Sequence, residues 1–241
     1  MIRLLVGVLK EQSRRAMSRD RKQISRVTRS KAVAKASYDR LSQWYDLIAG
    51  WSERKAVECG LKQLHALEGE TVLEIGYGTG RSIVALGQTV GEMGRVHGID
   101  LSEGMHKIAA ARVERAGLSK RVDLRCGDAA KLPYKAGSFD AVFMSFTLEL
   151  FDTPEIPIVL HECRRVLRRG GRIAVVAMLK KTERGAMVRL YECAHEKIPK
   201  VVDCRPIYAD QALAEAGFQV TQRNEMRMWG LPISVALAKK P

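Results

Sequence analysis

Thr71-Val72-Leu73-Glu74-Ile75-Gly76-Tyr77-Gly78-Thr79-Gly80 decides how the rest of the chain is read. TVLEI is short, apolar and β-branched, which predicts a buried strand over 71–75. The glycines at 76, 78 and 80 then let the backbone turn tightly and leave the strand end open to a bound molecule. Arg81 to Val90 follows with apolar residues three or four apart, the spacing of a helix. A strand, a glycine turn and a helix in immediate succession form the first unit of a parallel α/β sheet.

The same alternation continues downstream. Strands are expected at 95–100, 122–127, 139–146, 171–179, 218–225 and 233–239, with helices at 104–116, 155–168 and 211–216. The last two strands are separated by MRMWGLP, which leaves no room for a crossover helix. They should form a hairpin and set the final strand antiparallel to its neighbours. The expected fold is therefore α/β: a seven-stranded, mostly parallel sheet with an antiparallel last strand and helices on both faces. Lys180 to Ala209 reads as an insertion of about thirty residues at the carboxyl edge of the fifth strand, a place from which it would cover a ligand.

The 241 residues carry a formal charge of +14. Twelve Lys/Arg against three acids in the first forty residues put +9 of it there, so we read residues 1–35 as a basic amphipathic extension and 36–241 as the folded domain. Ile2, Leu5, Leu9 and Met17 lie broadly to one side of that extension with cations behind them, a pattern suited to an anionic membrane surface. The apolar opening MIRLLVGVLK is too short to span a bilayer, and no small-residue cleavage site follows it. Cys59, Cys126, Cys163, Cys193 and Cys204 form no CxxC pair. Neither a disulfide framework nor a metal site is expected, and a reducing cytoplasm fits best, with peripheral attachment to the inner face of the membrane.

Three carboxylates fall at successive strand ends. Glu74 precedes the glycine loop, whose GxGxG spacing differs from the GxGxxG of pyrophosphate binders, so an acid here suits a cationic ligand. Asp100 closes the second strand twenty positions after Gly80, where a carboxylate accepts hydrogen bonds from both hydroxyls of a ribose. Asp128 follows the third strand, where an acceptor oxygen would meet an exocyclic amine.

Taken together, VLEIGYGTG, GIDLSEGM, GDAAKLPY, GSFDAVF and RRVLRRGGRI resemble the class I S-adenosylmethionine-dependent methyltransferases, and within them the group that includes the ubiquinone/menaquinone C-methyltransferases. The resemblance covers about residues 36 to 180 and implies a Rossmann-like fold with S-adenosyl-L-methionine as cofactor. It implies that Glu74, Gly76, Gly78, Asp100, Leu101, Asp128 and Ala129 line the cofactor and that Tyr38 and Tyr45 in YDRLSQWYD close over it, and Tyr77, Gly80, Met105 and Ser145 are expected beside them. Two departures stand out: Tyr77 occupies a position where the group usually has a small residue or Cys, and Arg169 one where it commonly has Pro.

Methyl transfer from a sulfonium is an in-line displacement for which the protein supplies mainly alignment, and a base is needed only where the acceptor must lose a proton first. Candidates for such a role are Tyr45, Glu149 in TLELFD, and Tyr191 with His195, which share a helical face in RLYECAHEKIP. His97 and His161 read as structural. The basic extension and the resemblance point to a lipid-soluble acceptor, a quinone-type ring ahead of the amine of phosphatidylethanolamine. A nucleic-acid methyltransferase is the remoter alternative, because no aromatic residue interrupts the basic stretch before Tyr38 to stack a base. Oligomeric state is not legible.

Overall fold

Strands four and five are near-continuous apolar runs because both of their faces are covered, as parallel strands require. In the computed structural model, which describes residues 27, 33, 36, 53–180 and 204–241, successive residues of these strands enter opposite layers. Val142, Met144, Ile173, Val175 and Ala177 join one core, while Ala141, Phe143, Ala174, Val176 and Met178 join the other.

The strands are β1 (Thr71–Ile75), β2 (Arg95–Asp100), β3 (Val122–Cys126), β4 (Phe139–Ser145), β5 (Leu167–Met178), β6 (Gln219–Met228) and β7 (Leu231–Lys239). They form one seven-stranded sheet in the order β3-β2-β1-β4-β5-β7-β6. β1 to β5 pair in parallel, and β7 pairs antiparallel to both β5 and β6. The helices described are α1 (Arg54–Leu64), α2 (Arg81–Thr89), α3 (Glu103–Arg115), α4 (Glu155–Val166) and α5 (Ala209–Glu215), with a 3-10 turn at Leu148–Leu150. Val159, Leu160 and Cys163 of α4 and Leu213 of α5 cover one face, and Leu64, Ile83, Leu86, Ala109 and Val113 of α1, α2 and α3 cover the other.

The fold is the one expected, with two local differences. The fourth helix stops at Val166 instead of running to 168, and Leu167 already opens β5. The pairing of Phe139 with Leu167 jumps to Ala141 with Arg172, so RRGG is extruded as a bulge. The second difference lies in MRMWGLP. Most of it is paired strand, with Met228 opposite Leu231, and the connection is only Trp229-Gly230. Both have positive φ, 50° and 81°, which matches the twist of a two-residue hairpin turn.

Candidate functional site

Parallel topology gathers the carboxyl ends of β1, β2, β3 and β4 at one edge, where many of the residues expected to meet line a common cleft. A cleft enclosing about 1000 Å3, part of it open solvent, is lined among others by Gly76, Gly78, Asp100, Leu101, Met105, Asp128, Ala129 and Ser145. Gly76 permits this approach. Its φ is 71°, and a Cβ there would sit 2.3 Å from the hydroxyl of Thr147, which packs on the loop and donates to the Ser145 carbonyl at 2.9 Å.

Asp100 is held before any ligand arrives. The Gly78 N–H donates to its Oδ2 at 2.9 Å and the Ser102 N–H to its Oδ1 at 2.9 Å, so one carboxylate fixes both the glycine loop and the start of α3. These two bonds orient the carboxylate toward the strand ends. Asp128 is fixed in the same manner, with its Oδ1 accepting the Ala130 N–H at 2.9 Å.

Glu74 lies beneath the loop, 1% exposed, and neither carboxylate oxygen has a hydrogen-bond partner. Burial pushes its carboxyl up to about 8, with the charge of Asp100 adding to the rise and the nearby Ser82 hydroxyl opposing it. An orphaned buried carboxyl beside a glycine cradle, flanked by two pre-oriented carboxylates, fits a ligand that brings a cation, a ribose and an amino-substituted ring. S-Adenosylmethionine has all three.

Two residues expected on the cofactor wall do other work. Tyr77 is buried and turns away into the core of α2 and α3, where its hydroxyl lies 3.0 Å from His106 Nδ1 and donates to the Arg125 carbonyl at 3.3 Å. Room for its ring comes from Gly98, where a Cβ would stand 2.6 Å from Tyr77 Cδ1. Burial also raises its phenol well above the ordinary value. Gly80 serves helix packing, since a Cβ at φ 82° would meet the Ala109 Cβ at 2.8 Å.

Glu149 is likewise displaced from the role expected of it. It is fully buried, and its Oε1 accepts the Met178 N–H at 3.1 Å, tying the 3-10 turn to the end of β5. Below it the fully buried Arg205 donates to the carbonyls of Glu149 and Phe151 at 3.2 and 2.6 Å and to the Thr153 hydroxyl at 3.1 Å. Tyr38, Tyr45, Tyr191 and His195 lie outside the described residues.

Sequence reasoning missed the further lining residues Val27, Phe146, Leu150, Phe151, Asp152 and Glu155, while Thr147 was among the candidates it placed near the end of the fourth strand. Val27 donates its N–H to Asp152 Oδ1 at 3.1 Å, so this residue, assigned to the extension, lines the cleft. Phe146 carries a strained φ of 50°, a conformation that concentrates at functional sites. The apolar content of SFTLELF was the available signal for Phe146, Leu150 and Phe151.

Residues 72–171 match the methyltransferase domain family. Among curated proteins, the demethylmenaquinone methyltransferase of Lactococcus lactis subsp. lactis is 36% identical over 116 residues, 48% of this chain and 45% of that protein. The chain spans about half the length of the curated relatives it matches. A crystal structure of a SAM dependent methyltransferase from Aquifex aeolicus superposes with a TM-score of 0.57 at 26% identity, covering 75% of this chain and 88% of that one. The cyclase SpnF superposes with a TM-score of 0.73 at 19% identity, covering 90% and 98%, a likeness of fold alone. The glycine cradle and the three strand-end carboxylates all lie within residues 72–171, the segment of this Rossmann-like sheet that matches a methyltransferase domain.

Proposed function

We propose that this chain transfers a methyl group from S-adenosylmethionine to a ring carbon of a lipid-soluble, quinone-type acceptor at the membrane surface. The observation that carries the reading is the mixed lining of the cleft, which combines the carboxylates Asp100 and Asp128 and the glycine loop with the apolar side chains Val27, Phe146, Leu150 and Phe151. Similarity to demethylmenaquinone methyltransferases supports the quinone class.

The cofactor supplies an electrophilic methyl group, and the residues of this chain supply position. Asp100 would accept from the ribose hydroxyls and Asp128 from the adenine amine, while ionised Glu74 would balance the cationic end. The apolar side chains would hold a flat ring against the donor and keep water from competing for the methyl group. A ring carbon must be enolised or deprotonated to attack, and Asp152 and Glu155, which line the same cleft, are the carboxylates this reading would use for it. No helix among the described residues is long and apolar enough to cross a membrane, and this reading assigns membrane contact to the basic extension.

The test is incubation with methyl-labelled cofactor and a total lipid extract, with Asp100→Asn as the binding-deficient control. Label in the quinone fraction supports the proposal. Label in phospholipid moves the assignment to amine methylation, and label in neither fraction overturns the lipid reading.

A further inference from the structure

The β6–β7 hairpin carries a residue that the methyl-transfer chemistry leaves unused. Its tip is Trp229-Gly230, and Trp229 is 66% exposed. Both tip residues lie in the left-handed region, where Asn-Gly is the favoured pair and a bulky side chain is disfavoured. Tryptophan here is neither core nor a good turn former. The tip is also rigid: Met228 pairs with Leu231, Leu231 is buried, and Met226 and Met228 pack against the same core as Val57 and Leu61 of α1.

Its position gives the side chain a purpose. β7 pairs Ile233 with Met178, the last residue of β5, so the turn projects beyond the carboxyl ends of the parallel strands. That edge also holds the mouth of the cleft, to which Ser145 at the end of β4 belongs. Ser145 is level with Val176 of β5 and, through it, with Val235 of β7, so the tip stands two to three strand spacings, about 10 to 15 Å, to one side of Ser145 and six residues, about 20 Å, farther out from the sheet. The exposed apolar side chains Leu67 and Met93 precede β1 and β2 and lie at the opposite edge. Arg227 is exposed beside Trp229, and the whole chain carries +14, the sign that an anionic surface attracts.

We propose that Trp229 at the hairpin tip inserts into the interface of an anionic lipid bilayer and turns the cleft mouth toward it, an inference that rests on the lipid-acceptor reading above. An indole sits at headgroup depth because its ring is apolar and its N–H keeps a polar partner. A rigid tip holding one such ring loses little conformational freedom on insertion, and Arg227 meets the lipid phosphates. The lipid-soluble acceptor then reaches the apolar side chains of the cleft without crossing water.

The test is sedimentation of the full chain with phosphatidylcholine vesicles containing about one-third phosphatidylglycerol. Trp229→Asn creates the favoured Asn-Gly turn, so it should raise the unfolding temperature while weakening vesicle partition about tenfold, equivalent to about 1.4 kcal/mol. Trp229→Phe should fall between Asn and wild type. In the Trp44→Phe, Trp51→Phe variant, Trp229 fluorescence should be quenched by lipids brominated near the headgroup. Unchanged partition of Trp229→Asn, or absent quenching, overturns the proposal, as does a wild-type dimer that dissociates on the same substitution. Methylation of a short-chain, water-soluble quinone separates the two ideas: Trp229→Asn should leave that rate unchanged. A wild type inactive on such a quinone refutes the acceptor assignment while the partition result still stands.

Discussion

Replacing Glu74 by Gln removes an ionisable group from a position that is 1% exposed and has no hydrogen-bond partner on either oxygen. In the folded chain this carboxyl takes up its proton at about 8, against an ordinary value of 4.5, first because burial penalises the charge and then because Asp100 repels it. Between those two values the folded state binds more protons than the unfolded one, so stability is greatest at low pH and declines as pH rises through the window. At about 1.4 kcal/mol per unit, the loss between pH 5 and pH 8 is roughly 3 to 4 kcal/mol. Gln has the same shape and no titration. The stability difference between variant and wild type should therefore grow in favour of Gln by about that amount across the interval, and urea unfolding at several pH values would show it as midpoints separating by about 1 M or more. A difference that stays constant from pH 5 to pH 8 would refute the buried, unpartnered state of Glu74. The same reasoning applies to the cofactor. A carboxyl that is neutral at pH 7 must ionise to meet a cation, so calorimetry in two buffers of different ionisation heat should detect proton release on binding by the wild type and none by Glu74→Gln.

Asp100→Asn should lower cofactor affinity at least tenfold by calorimetry, because charge-assisted hydrogen bonds of about 1.5 to 3 kcal/mol each are weakened to neutral ones; the amide oxygen still accepts one of the two loop N–H groups, which limits damage to the fold. Tyr77→Phe removes the contacts to His106 and the Arg125 carbonyl, and thermal unfolding should register a loss of about 1 kcal/mol with cofactor affinity unchanged. A weakened affinity would mean that the ring faces the ligand after all. Arg205→Leu leaves the carbonyls of Glu149 and Phe151 and the Thr153 hydroxyl without this donor. The cost should be about 3 to 5 kcal/mol in urea unfolding, with the KM for the acceptor rising more than the Kd for the cofactor.

β1 and β2 fall on the residues expected from the sequence because the buried Val72, Leu73, Ile75, Val96 and Ile99 mark them, and a carboxylate lies at or next to the end of each. Glu74, Asp100 and Asp128 were legible for the same reason: a parallel sheet sends every strand end to one edge, so local sequence fixes a nonlocal meeting point. The rest of the cleft lining has no such rule. Val27 reaches Asp152 across 125 positions. Tyr77 looked like a ligand contact from its place among glycines, but the space that draws it inward is the missing Cβ of Gly98 on the neighbouring strand. Glu149, a charged residue in a loop at the sheet's active edge, read as functional. Its backbone environment, which offers the Met178 N–H inside the core, is not written in TLELFD. The two-residue turn at Trp229 was missed because its composition contradicts its geometry, and that contradiction is what makes it informative.

The contact of Val27 with Asp152 suggests a truncation that tests where the basic extension ends. Residues 1–26 hold eight Lys/Arg (Arg3, Lys10, Arg14, Arg15, Arg19, Arg21, Lys22 and Arg26) against Glu11 and Asp20, a charge of +6 that lies before the cleft contact. Removing them should weaken binding to anionic vesicles and reduce its salt dependence while cofactor affinity stays as it was, since the cleft keeps Val27 on Asp152. A cut at residue 30 removes Val27 as well, deleting one apolar side chain of the cleft lining and the N–H that Asp152 Oδ1 accepts. Calorimetry with the cofactor and kinetics with a short-chain quinone should then separate the two truncations, the longer one losing acceptor affinity by severalfold. Equal behaviour of the two truncations in both assays would show that residue 27 contributes nothing to the cleft, and would leave the boundary of the domain at residue 35.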